Sequence, residues 1–193
     1  CYQDFEQAEV IVLIGANTAW THPVLFQRIL AAKQTNGCKL VVIDPICTAT
    51  AKQADLHLAI SPGADLSLFV GLLGYLADNH CLNQEYIQHH TEGFETVVDN
   101  AQRVSGCLTA LAETVGVSQI DLTAFYHLFS SSKKVLTASC QGVNQSVIGT
   151  DTTNAIINCH LALGQIGQGG AGFFSLTGQP NAMGGREVGG LAT

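Results

Sequence analysis

Residues 9–45 read EVIVLIGANTAWTHPVLFQRILAAKQTNGCKLVVIDP. Val10–Ile14 is a short, largely β-branched run that stops at Gly15, the pattern of a parallel strand covered on both faces. A helix is predicted over 23–35. Pro23 suits its first turn, Val24, Leu25, Ile29 and Leu30 line one stripe, and Gly37 ends it. Lys39–Ile43 is a second buried strand, ending at Asp44-Pro45. Strand, helix and strand in this order imply a right-handed crossover between parallel neighbours.

The same alternation continues outward. A weaker third strand is expected over 56–60, then a Ser61-Pro62-Gly63 turn and an apolar helix from Asp65 to about 79. Residues 83–132 read as several short helices, a helical insertion. Within it, Ser118 and Asp121 resemble a capping pair ahead of a helix to about 129. A strand follows at 134–138, a loop at 141–145, and a helix at 152–165 capped by Thr150 or Asp151. The predicted architecture is one α/β domain over 1–193, Rossmann-like: a doubly wound, mostly parallel sheet with helices on both faces.

Ten of the 20 glycines lie in a final segment, 164–193, which also carries Phe173, Phe174, Met183 and Arg186. That mixture is unlike a flexible linker and predicts backbone folded tightly against a large ligand. Charged residues are only 12% of the chain, against about 25% in an ordinary soluble domain, and mean hydropathy is +0.25. The expectation is a piece of a larger enzyme, its faces covered by the remaining domains of the same polypeptide. The apolar stretches near 10–15 and 66–77 fall short of the ~18 residues a membrane span needs. The opening CYQDFEQAEV does not read as a targeting signal. A net charge of −7 with only eight Lys and Arg argues against nucleic-acid binding. Seven widely spaced cysteines without a CxxC pair exclude an evident zinc or iron–sulfur site and fit a reducing, cytoplasmic setting. Most are expected to be buried as small apolar residues.

In an open parallel sheet ligands collect at the carboxyl ends of the strands. Four loops converge there: 15–22, 44–48, 61–65 and 140–146. The first lacks GxGxxG, which argues against an ordinary nicotinamide site. Gly15 and Ala16 permit close approach, and Asn17 can bond a phosphate or ribose. An ordinary βα turn is the alternative. Asp44 can take ribose hydroxyls or act as a turn aspartate. Asp65 can accept from guanine N1–H and its amine, or cap a helix. His57 is read as solvent-facing on its strand, His160 as satisfied in the core, His89-His90 as lacking metal spacing, and Trp20 as a packing residue, with the wall of a ligand pocket as its alternative.

The strings GANTAWTHPVLFQRI (15–29), QGVNQS (141–146), NAIINCHLALGQIG (154–167) and FSLTGQPNAMGGREVGG (174–190) closely resemble molybdopterin oxidoreductases, specifically prokaryotic assimilatory nitrate reductases. The resemblance implies a molybdenum ion held by a bis(molybdopterin guanine dinucleotide), one half of which this domain grips. It also implies an iron–sulfur cluster in the parent but not in this chain. The electron donor would be ferredoxin, flavodoxin or a nicotinamide-linked reductase. Carried over by position, Gly15, Asn17 and Thr18 match the loop contacting a guanine dinucleotide. Asp44 and Pro45 lie in a DPR-like turn whose arginine is replaced here by Ile46. Asp65 lies in the PG-x-D turn that reads guanine, and Gly142 and Asn144 lie near the pterin. Gly178 and Gln179 also match cofactor-contacting positions, and Gln179 and Arg186 match polar residues near the metal and substrate. Gln141 stands where the periplasmic branch has methionine, which leans toward the assimilatory branch. No residue of this chain matches the metal ligand. Another molybdopterin enzyme, such as a formate dehydrogenase, and a non-catalytic nucleotide-binding module are the competing readings. The chain alone is expected to reduce no nitrate.

Overall fold

The computed structural model describes residues 1–178. Through them runs a five-stranded, fully parallel sheet in the order β3-β2-β1-β4-β5. Its strands are β1 Val10–Ile14, β2 Lys39–Ile43, β3 Leu56–Leu58, β4 Val135–Ser139 and β5 Gly172–Ser175. β1 is central: Val10 pairs with Lys39 and Val135, and Ile14 with Ile43 and Ser139. The helices are α1 Tyr2–Gln7, α2 Thr18–Thr21, α3 Pro23–Asn36, α4 Asp65–Asp78, α5 Gln84–His90, α6 Phe94–Ser105, α7 Leu108–Val115, α8 Gln119–Ser131, α9 Gln141–Asn144 and α10 Gly149–Ala162.

All five β1 residues are buried. Successive strand side chains alternate between faces, and the two hydrophobic cores record this. Val10, Val12 and Ile14 join Leu68, Leu72, Leu111, Phe125 and Ile156 from α4, α7, α8 and α10. Ile11 and Leu13 join Phe5, Leu25, Phe26 and Ile29 from α1 and α3. Each such side chain contributes about 1.5–3 kcal/mol by leaving water, so both helical layers are held to the sheet by the same strand. The doubly wound α/β architecture is as expected.

The helices α5 to α8 lie between α4 and β4, where the helical insertion was read. Ser118 caps α8 by accepting the Asp121 backbone N–H at 3.0 Å. Gly74 of α4 stands against Ser105 and the Ala101 carbonyl of α6, so a side chain there would separate the two helices. His160 of α10 is fully buried and satisfied, its Nδ1 2.7 Å from Gln165 Oε1 and its Nε2 2.9 Å from Thr137 Oγ1. Burial pushes its pKa down to about 4, which keeps the ring neutral.

Several local expectations are corrected. The last helix starts at Gly149 with Ile148 as its cap residue and no side-chain cap bond, so neither Thr150 nor Asp151 caps it. Residues 141–144 form a short helix rather than a loop. The strand β5 was not foreseen: a glycine and a serine at its ends hid the four-residue segment GFFS. Trp20 is 77% exposed, so it does not pack within the described residues. His57 is half-buried, its Nε2 donating to the Asp44 carbonyl at 2.9 Å. Among the cysteines, only Cys38, Cys140 and Cys159 are buried.

Candidate functional site

The chain leaves β1 toward α3 on one face of the sheet and leaves β4 toward α10 on the other, so a crevice opens where the two paths diverge. At its base the two loops touch backbone to backbone. The Gly142 N–H donates to the Gly15 carbonyl at 3.1 Å. Gly15 has a φ of +56°, and a Cβ added to it would stand 2.8 Å from Gly142 Cα. A Cβ on Gly142 would stand 2.6 Å from Gly15 Cα. The pair are therefore glycines first because of each other. The sequence reading assigned Gly15 to close ligand approach; the structure shows a nearer reason.

Asn17 follows at the start of α2. Its carbonyl accepts the Trp20 and Thr21 backbone N–H groups, and its side-chain Oδ1 accepts the Thr50 hydroxyl at 2.8 Å. Thr18 is fully buried, and its Oγ1 has no hydrogen-bond partner, a rare state for a buried hydroxyl. Asp44, at the end of β2, accepts the Ile46 N–H on Oδ1 at 2.9 Å, which is the turn role read as its alternative. Pro45 and Ile46 beside it are exposed.

Asp65 is the first residue of α4, and the cap position belongs to Ala64, with no side-chain cap bond. The helix-cap reading of Asp65 therefore fails. Its carboxylate is half-buried, and its pKa is raised by desolvation first and by the like charge of Asp44 as well, while its own backbone N–H opposes them. A carboxylate kept partly out of water beside a second one is poised to accept hydrogen bonds from a donor-bearing partner. The four loops contain no Lys or Arg, and their side-chain donors are amides, hydroxyls, the Trp20 indole and the His22 imidazole.

On the β4 side the Asn144 amide ties three elements together. Its Oδ1 accepts the Ser139 hydroxyl at 3.0 Å, and its Nδ2 donates to Ser175 Oγ at 2.9 Å and the Leu176 carbonyl at 3.4 Å. Gln141, Asn144, Thr177 and Gly178 line a cavity of about 190 Å³. Gly178 passes close to the Gln141 amide, which would have to move aside for a Cβ there. Gln179 and Arg186 lie outside the described residues. The stretch from Gly164 to Ala171 is at the opposite end of the sheet, because α10 runs back along β4 and Gly172 pairs with Leu136 at its start. The chain returns to the crevice only at Leu176–Gly178, so 164–171 is corrected from a ligand-facing to a turn-forming role.

Sequence reading missed Thr50, Ser139 and Ser175, the hydroxyls that orient Asn17 and Asn144. Each sits in a segment of ordinary composition, and only the folded chain brings it to its amide. A half-buried carboxylate after β3, bonded only by its own backbone N–H, a buried orphan hydroxyl and an oriented amide suit a polar, nucleotide-bearing group. Among the described residues no cluster of three or more His, Cys, Asp or Glu could hold a metal ion. Nor is any helix among them long and apolar enough to cross a membrane.

The molybdopterin oxidoreductase family model matches residues 2–192. The chain is 74% identical over its whole length to a nitrate reductase of Shewanella frigidimarina and 45% identical to one of Klebsiella oxytoca. It spans only 21% and 22% of the length of these two relatives. Among solved structures, acetylene hydratase from Pelobacter acetylenicus superposes on 87% of the chain and 25% of its own, with a TM-score of 0.74 at 20% identity, and so shares the fold.

Proposed function

We propose that this chain, which belongs to the molybdopterin oxidoreductase family, grips one molybdopterin guanine dinucleotide inside a larger assimilatory nitrate reductase. The observation that carries the reading is Asp65. Its half-buried carboxylate makes no helix-capping bond, and burial and Asp44 hold its pKa up. Guanine offers N1–H and an exocyclic amine side by side, a donor pair that matches two carboxylate oxygens. Asn17, Thr18 and the Gly15 turn form the wall facing the dinucleotide, with Asp44 and Pro45 at its outer edge. Gly142, Asn144 and Gly178 flank the pterin end, and for Gln179 and Arg186, outside the described residues, the resemblance alone implies a place near the substrate.

The bound group supplies the redox chemistry that takes one oxygen atom from nitrate. The residues of this chain bind and orient it. Because the four loops contain no Lys or Arg, phosphate charge is met here by backbone N–H groups and the Asn17 amide. An arginine at 186 suits a planar oxyanion by forked, charge-assisted hydrogen bonds. The iron–sulfur cluster and the metal ligand belong to other parts of the polypeptide, and ferredoxin, flavodoxin or a nicotinamide-linked reductase supplies electrons in the cytoplasm. The low charge content and the exposed Trp20, Val24, Ile46 and Val147 support burial of this domain against those other parts.

A viologen-linked assay of the longer polypeptide, offered nitrate or formate, tests the substrate. Nitrate reduction without formate oxidation is expected, and formate turnover without nitrate reduction would overturn the assignment.

A further inference from the structure

Thr50 lies in the loop after β2, just ahead of a short 3-10 turn, Ala51–Gln53. It is fully buried, yet its side chain makes no cap bond to that turn. It reaches instead to the loop after β1. There its Oγ1 accepts the Ala19 backbone N–H at 2.9 Å and donates its single proton to Asn17 Oδ1 at 2.8 Å. Ala19 N–H can only donate, so the hydroxyl proton needs an acceptor elsewhere, and Asn17 Oδ1 is the acceptor in reach. A flipped Asn17 amide would leave that proton buried without a partner. The amide is therefore fixed with its oxygen toward Thr50. Its Nδ2 has no protein partner among the described residues, and the side chain is half-buried at the crevice.

We infer that Thr50 is a positioning residue: it locks the Asn17 amide so that the Nδ2 donors face the dinucleotide. This rests on the reading that the crevice holds that group. Thr50 ties the ligand loop of β1 to the loop of β2, so the donor is set before the ligand arrives and little ordering remains to be done on binding. Valine at 50 keeps the shape and removes both hydrogen bonds, whereas serine keeps the hydroxyl.

The test uses the longer polypeptide, purified with its cofactor, and follows the rate at which guanylate-bearing cofactor is lost on dialysis. Thr50→Val and Asn17→Ala should each lose it about tenfold faster, the equivalent of one hydrogen bond. The double variant should lose it no faster than Asn17→Ala, and Thr50→Ser should match wild type. Wild-type retention by Thr50→Val while Asn17→Ala loses cofactor overturns the positioning role and leaves the binding site standing. A double variant that loses cofactor additively overturns it as well. Wild-type retention by Asn17→Ala removes Asn17 from the site, and a wild-type enzyme without guanylate sinks the binding reading itself. Should Thr50→Val fail to accumulate, Thr50→Ala decides, because it removes the hydroxyl that holds the Asn17 amide and adds no charge beside the phosphates. Fast loss supports the inference and wild-type retention overturns it.

Discussion

The two ends of the sheet are both rich in glycine, and they use it differently. At the carboxyl end, Gly15 and Gly142 press one loop against another and set the floor of the crevice. At the amino end, the turn between α10 and β5 carries Gly164, Gly167, Gly169 and Gly170. There Gly170 packs on the Gln7 backbone, and its N–H donates to Asp4 Oδ1 at 3.0 Å, which fastens α1 to the sheet. Glycine density is the higher at the amino end and does not reveal either role. The neighbour that a Cβ would meet separates the ligand end from the structural end.

The largest effect should come from breaking the carboxyl-end contact. Gly15→Ala combines a positive φ with a backbone collision, and about 4 kcal/mol of stability should be lost in chemical denaturation. Gly142→Ala should cost a similar amount, and the two together less than their sum, because either one already separates the loops. Additive losses would show that the loops do not bear on each other.

A pH titration sharpens the comparison from the core between the ends. The pKa of His160 is about 4 in the folded chain against an ordinary 6.5. Above pH 6.5 the ring is neutral folded or unfolded, and its full contribution is present. As pH falls from 6.5 toward 4 the unfolded chain takes up a proton that the native chain refuses. Stability should therefore fall by about 3 kcal/mol across that window and level off below it. His160→Gln should flatten this part of the profile in denaturation measured between pH 7 and 4.

Smaller effects belong to the amino-end turn and to Asp65. Gly167 has a φ of +87° and nothing within 4 Å of an added Cβ, so Gly167→Ala should cost only about 1 kcal/mol. Asp65→Asn should change stability least and in the opposite direction. The native carboxyl has a raised pKa, so its ionised form weakens the fold as pH rises above its unfolded value. Removing that charge should stabilise the cofactor-free chain at neutral pH by less than about 1 kcal/mol, discounted for its partial exposure.

The sheet and its two layers were legible because VIVLI and KLVVI are short, mostly apolar runs bounded by glycine and Asp-Pro. The strand at 172–175 was not, because GFFS carries no alternation and inherits its place from β4. Asp44 was legible as an acidic residue at a strand end and Asp65 as one opening a helix, but their mutual repulsion depends on how β2 and β3 lie side by side. Asn17 was visible in the sequence and Thr50 was not, since the hydroxyl is 33 residues away and meets the amide only in the folded chain. Trp20 was misread because aromatic residues usually pack, and its exposure follows from its place on the four-residue α2, at the rim of the crevice.

The most direct test counts guanylate and molybdenum in the purified longer polypeptide, for wild type and for Asp65→Asn. The account predicts about two guanylates per molybdenum in wild type and a marked loss of both in the variant, although the variant's fold is no less stable. Wild-type guanylate and molybdenum in Asp65→Asn would contradict it.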